Sequence, residues 1–202
     1  MLEEGSIAHA VLDDHLQSSA FFGLFRFFGG CTWVGRRSSS VLGPIRMEQL
    51  TEEEVKASFE PGAELWLPNF DRVEWAHRDF LSWVHPSGHL GYLVTRSPND
   101  GCLHGVVLRR HERKPRAARL DMCSICHHVH AMGGAAMFTL TEKGSGGRRT
   151  FSNVICGDLG CSLRIRDLVT PKSFMQENIY LEAKIWRILQ HLHKWLTRAK
   201  YL

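Results

Sequence analysis

No stretch of this chain approaches the roughly 18 unbroken apolar residues that a membrane-spanning helix needs. The most apolar run, Ala20 to Phe28, is interrupted by Arg26 and is too short. Its upstream flank carries Glu3, Glu4, Asp13 and Asp14, where a secretory leader would carry positive charge. Cysteine is scarce: six in 202 residues are too few to staple a scaffold by disulfides. Excess charge is modest too, 25 Lys and Arg against 21 Asp and Glu, and a formal +4 does not by itself imply a nucleic-acid partner. Catalytic signatures are missing. There is no evident nucleophile–base pair, and the turn Gly144-Ser145-Gly146-Gly147 lacks the Lys and Ser/Thr of a phosphate-cradling loop. The expectation is a cytoplasmic, non-enzymatic protein with no membrane and no small-molecule substrate. In a reducing compartment, paired cysteines are more often metal ligands than disulfides.

What is present divides at Met47. Residues 1–46 carry four basic and four acidic groups and an aromatic-rich run (Phe21, Phe22, Phe25, Phe27, Phe28), without a sustained amphipathic period. They are expected to be a poorly ordered extension, with Met47 as an alternative start. Beyond Met47 the charge is polarised. Met47 to Phe80 holds nine acidic and three basic residues, Gly105 to Leu120 six basic and one acidic, and Pro171 to Leu202 six basic and two acidic.

Residues 47–202 read as one α+β domain. Thr51-Glu52-Glu53-Glu54 is a capping box opening a helix to about Phe59. Val73, Phe80, Leu81 and Val84 recur at helical spacing and predict a second helix over 71–84, with Trp66, Trp75 and Trp83 in the core beside it. Two hairpins follow. One pairs Gly91–Thr95 with Leu103–Leu108 across Pro98-Asn99-Asp100-Gly101, and the other pairs Ala136–Thr141 with Arg149–Ile155 across the Gly144–Gly147 turn. A basic connector, Arg109 to Arg119, lies between them. The last helix, at about 174–200, carries the stripe Leu181, Ile185, Ile188, Leu189, Leu192, Trp195, Leu196; His191 and His193 are expected at its surface.

The chemistry concentrates in two cysteine pairs. Cys123-Ser-Ile-Cys126 is C-x2-C; after 29 residues Cys156-Gly-Asp-Leu-Gly-Cys161 is C-x4-C. Structural zinc takes four tetrahedral ligands, and two pairs from tight turns meet that need. A knuckle, a hairpin and a second pair leading into a helix (Ser162 to Leu168) form a treble clef over about 120–170. One structural Zn2+ is the expected cofactor. Four thiolates close the shell, so the metal is read as structural and not catalytic. Three rival readings compete with it. Cys126-His127 completes a C-x-x-C-H haem-attachment pattern, and the first pair alone could be a redox dithiol; each leaves Cys156 and Cys161 idle. His127, His128 or His130 could also replace one cysteine as ligand. Cys31 and Cys102 are left over as bystanders.

The run Met122-Cys123-Ser-Ile-Cys126 with Cys156-Gly-Asp-Leu-Gly-Cys161-Ser-Leu resembles the elongation-factor-G-binding protein family. This comprises the FusB-type fusidic-acid resistance proteins and their short actinobacterial relatives. The likeness extends over the Leu50-Thr51-Glu52-Glu53 opening, Asp79-Phe80-Leu81-Ser82-Trp83, and Leu181-Glu182-Ala183-Lys184-Ile185. It implies a C-terminal treble-clef zinc finger with Cys123, Cys126, Cys156 and Cys161 as ligands. It further implies binding to elongation factor G and help in releasing that factor from fusidic-acid-stalled ribosomes. Residues 1–46 do not read as the helical bundle that precedes the finger in the FusB-type proteins. Candidate partner contacts, chosen on exposure and charge, are Arg148, Arg149 and Phe151 on the return strand and Lys184 and Arg187 on the last helix. The alternative function is an RNA- or ribosome-binding zinc module, supported by the basic connector and the basic last helix.

Overall fold

The computed structural model describes residues 47–112, 120–131 and 133–202. The expectations for residues 1–46, including Cys31, and for connector residues 113–119 lie outside the described residues.

The chain enters through α1 (Glu52–Ser58). The Thr51 hydroxyl accepts from the Glu54 amide at 3.2 Å, and the Glu54 carboxylate accepts from the Thr51 amide at 2.8 Å, so the capping box is complete. Next come short 3-10 turns at Phe70–Arg72 and Trp75–His77, then strands β1 (Leu81–Val84), β2 (Leu90–Arg96) and β3 (Leu103–Glu112). β4 (Leu120–Met122) and β5 (Val129–Ala131) form a two-stranded ribbon. β6 (Ala135–Thr141) and β7 (Thr150–Cys156) lead into α2 (Cys161–Arg164), and α3 (Leu181–Arg198) closes the fold.

The architecture is α+β. The two predicted hairpins are not separate units: β3 pairs antiparallel with β6, which joins them into one five-stranded antiparallel sheet of order β1-β2-β3-β6-β7. The 71–84 segment is not a helix. It supplies the two 3-10 turns and edge strand β1, so a single helix precedes the sheet where two were expected. Trp83 is buried as foreseen, but Trp66 is 41% exposed and uses its carbonyl to accept from Trp83 Nε1 at 2.7 Å.

Side chains alternate across a strand, and β1 to β3 bury residues on both faces of the sheet. One face packs Leu81, Trp83, Tyr92 and Val94 against Val55 of α1 and its C-cap residue Phe59. The other packs Leu93, Val106, Leu108, Phe138, Leu140 and Ile155 against all four paired cysteines and against Ile185, Ile188, Leu192, Trp195 and Leu196 of α3. Among the described residues no helix is long and apolar enough to cross a membrane.

Candidate metal centre

The first cysteine pair occupies a knuckle between β4 and β5. The Cys123 amide donates to the His128 carbonyl at 2.9 Å and the His127 amide to the Cys123 carbonyl at 3.0 Å, closing the turn with His127 at φ 61. The knuckle's inward amides, those of Ile125 and Cys126, point at Cys123 Sγ, each at 3.4 Å. Ser124 anchors the loop on β7: its amide and its hydroxyl both donate to the Val154 carbonyl, at 2.8 and 2.9 Å.

The second pair spans the exit from the sheet. Cys156 is the last residue of β7 and Cys161 the first of α2, with Gly160 as N-cap. The intervening turn is held by Leu159 N–H to the Cys156 carbonyl at 2.8 Å, and by Asp158, whose carboxylate accepts from the Gly160 amide at 2.9 Å and from Arg164 at 2.8 Å.

These turns bring the four sulfurs within 4.8 Å of one another. Cys123 and Cys161 are 3.7 Å apart, Cys126 and Cys156 3.5 Å. A tetrahedron of thiolates about 2.3 Å from a central zinc has edges of ~3.8 Å, so the donor set fits the ion. All four are buried, at 0, 3, 0 and 1% exposure in chain order. The electrostatics agree. Burial opposes ionisation of Cys123, yet hydrogen bonds from the thiols of Cys126, Cys156 and Cys161 outweigh it and hold its pKa well below the ordinary range. Cys156 and Cys161 are driven well above the ordinary range, chiefly by the same sharing with Cys123 and Cys126. A bare quartet therefore accommodates a first negative charge and resists more, and a cation at the centre is what permits full ionisation.

The neighbouring histidines do not displace a cysteine from this cluster. His130 Nε2 lies 3.3 Å from Cys156 Sγ, as a hydrogen-bond partner of that sulfur. Burial first, then His128 and Arg164, push its pKa down to about 4. The His127 ring lies against that of His191, tilted by 39° with centroids 5.0 Å apart, and sits 3.8 Å from Glu177.

Helix α3 clasps the knuckle from outside. Arg187 donates to the Cys126 carbonyl at 3.1 Å while paired to Glu177 at 2.5 and 2.9 Å, and His191 Nδ1–H donates to the Ser124 carbonyl at 2.9 Å. His191 is thus a structural clamp, and His193 lies 3.4 Å from the Thr95 hydroxyl; both are half-buried where a surface position was expected.

The nominated partner residues do not form one patch. Arg148 and Arg149 are exposed at the β6–β7 turn, with Arg149 paired to Glu142 at 3.0 Å. Phe151 packs under Arg198 and its carbonyl accepts from Trp195 Nε1, near the end of α3. Lys184 is half-buried near the start of α3, and Arg187 is committed to the knuckle. Exposed aromatics were missed: Phe174, Tyr180 and Trp186 are 66, 85 and 65% exposed. Their only sequence signal is aromatic character at positions with no core periodicity.

A family model described as the FBP C-terminal treble-clef zinc-finger matches residues 55–199. Among solved structures, the fold is similar to that of the fusidic acid resistance protein FusC, at 15% identity and a TM-score of 0.50, covering 75% of this chain. The chain spans 59% of that protein. No curated protein matches it. A treble-clef finger with four thiols gathered at ligand distance carries one structural zinc.

Proposed function

The chain belongs to the FBP C-terminal treble-clef zinc-finger family, and on that premise we propose that it is a non-enzymatic, zinc-stabilised binding protein of elongation factor G. The observation that carries this is the family match over 55–199, with both cysteine turns gathered into one buried cluster. Cys123, Cys126, Cys156 and Cys161 are the zinc ligands in this reading. Four thiolates close a tetrahedral shell, so the metal organises the fold and takes no substrate. Promotion of the factor's release from the ribosome, of the kind implied by a fusidic-acid-resistance fold, would be a population shift: the protein must bind a release-prone state of the factor better than the stalled one. For contact residues we favour exposed Arg148 and Arg149 and the aromatics Phe174, Tyr180 and Trp186, since exposed aromatic and arginine side chains are the usual anchors of an interface. Phe151, Lys184 and Arg187 join them only at the margin, because each is half-buried.

The RNA-binding alternative loses support in the last helix. Arg187 is neutralised by Glu177, Lys200 pairs with Glu142 at 2.5 Å, and Arg198 lies over Phe151. Arg110 of the connector is likewise spent on Gly157, Gly88 and Glu112. The test is equilibrium binding of the full chain to purified elongation factor G at moderate salt, beside a single-stranded RNA control. Saturable one-to-one binding to the factor is expected, weakened by Trp186→Ala or by Arg148→Glu with Arg149→Glu. Retention of RNA instead, with affinity collapsing steeply as salt rises, overturns the reading.

A further inference from the structure

The geometry points to His130 as the residue that holds the Cys156 thiolate and thereby sets how tightly the centre keeps its zinc; this rests on reading Cys156 as a ligand. His130 lies in β5, 26 positions from Cys156, and its Nε2 is 3.3 Å from Cys156 Sγ, with His130 2% exposed and the cysteine fully buried. A zinc-bound thiolate has no proton to give, so Nε2–H is the donor and the ring is held in that tautomer. The acceptor is charged and buried, which makes the bond charge-assisted.

The two turns explain why a side chain is needed here. In the first knuckle, the amides of Ile125 and Cys126 turn inward onto Cys123 Sγ. Of the five amides from Gly157 to Cys161, four are spent elsewhere: Gly157 on the Gly134 carbonyl, Leu159 on the Cys156 carbonyl, Gly160 on Asp158, Cys161 on the Leu159 carbonyl. His130 supplies from the side what that turn does not supply from its backbone. Gly134 walls the ring in place. A Cβ there would come 2.4 Å from His130 Nδ1 and 3.0 Å from its Cγ, so only a bare Cα leaves the imidazole at the sulfur.

The test compares the full wild-type chain with His130→Phe, His130→Gln and Gly134→Ala. Zinc content, chelator competition and the thiolate-to-metal charge-transfer bands of the cobalt-substituted protein are the readouts. Phenylalanine keeps a ring and removes the donor, whereas glutamine returns an N–H close to the Nε2 position. His130→Phe is expected to hold zinc about 10–100-fold more weakly and to shift the cobalt bands to lower energy. Gly134→Ala moves both readouts in the same direction, and His130→Gln recovers most of the loss. A His130→Phe protein within twofold of wild type with unchanged bands overturns the inference, as does a glutamine variant no better than phenylalanine. Should His130→Phe fail to fold, the glycine and glutamine variants decide alone. Wild-type protein without one zinc per chain would instead overturn the four-cysteine assignment.

Discussion

Asp79 and Arg166 stand 87 positions apart, yet they form a two-pronged ion pair with N–O distances of 2.6 and 2.8 Å, and both side chains are almost entirely buried. Arg166 also donates to the Ser162 carbonyl at 2.8 Å, and the Asp79 amide donates to the Ser162 hydroxyl at 3.1 Å. The pair therefore fastens the entry to β1 onto the segment that follows Cys161. Removing one partner strands a buried charge, which costs about 3–5 kcal/mol. Asp79→Ala should lower unfolding stability by that amount in urea titrations of the zinc-loaded protein, and adding Arg166→Met should restore much of it. If the single variant is as stable as wild type, the pair is not the fastener its geometry suggests. The four cysteines were legible in the sequence because ligand spacing is local within each turn. The pairings of Asp79 with Arg166 and of His130 with Cys156 were not, because the partners lie 26 to 87 positions apart and no short motif encodes a contact across the fold.

Among the elements, α3 was the most legible. Its apolar stripe is the buried face: Ile185, Ile188, Leu192, Trp195 and Leu196 are all inside. The start was expected too early, at about 174; the helix begins at Leu181, after a strap in which Phe174 N–H donates to the Val129 carbonyl on β5. The 71–84 segment was misread for a physical reason. Strand β1 is covered on both faces, so Leu81, Ser82 and Trp83 are all buried and the polar alternation that marks a half-exposed strand is missing. The apolar spacing that remained matched a helix by coincidence. One feature of α3 carries a pH dependence. Burial pushes the His193 imidazole below the ordinary histidine value of 6.5, opposed by its backbone hydrogen bond at Arg96. Between its folded and unfolded pKa values the unfolded chain binds more protons, so stability rises with pH through that window and is lost as pH falls below 6.5. His193→Gln should flatten the slope of stability against pH over that range in urea titrations. The flattening is partial, because His127, His128 and His130 are shifted in the same direction. An unchanged slope would show that His193 is as easily protonated in the fold as outside it.

Across the described fold as a whole, one sheet separates two cores, of which one contains the four metal-binding cysteines. The α1-side cluster, Leu50, Val55, Phe59, Leu81, Trp83, Tyr92 and Val94, contains no cysteine. The opposite cluster is built around all four ligands and the buried face of α3. Joining both hairpins through β3 and β6 was not legible in the sequence, since a pairing between strands separated by a long connector leaves no local signal. That pairing lets metal binding on one side act on a sheet shared by the other. The zinc–tetrathiolate unit contributes −2, taking the formal net charge of the chain from +4 to +2. Zinc binding requires deprotonated sulfur, so acid competes with it in the same sense as a chelator. Hydrogen exchange should resolve the consequence. On chelation at neutral pH, amides in the Cys123–Cys126 knuckle, in α2 and in α3 should lose protection first, because their packing converges on the cysteines and on the clamps of Arg187 and His191. Amides of β1 and β2 should remain protected longer, since each strand also buries side chains in the metal-free core. Simultaneous loss on both faces would mean that the sheet transmits the zinc's stabilisation to the whole fold, and that the two cores unfold as one cooperative unit.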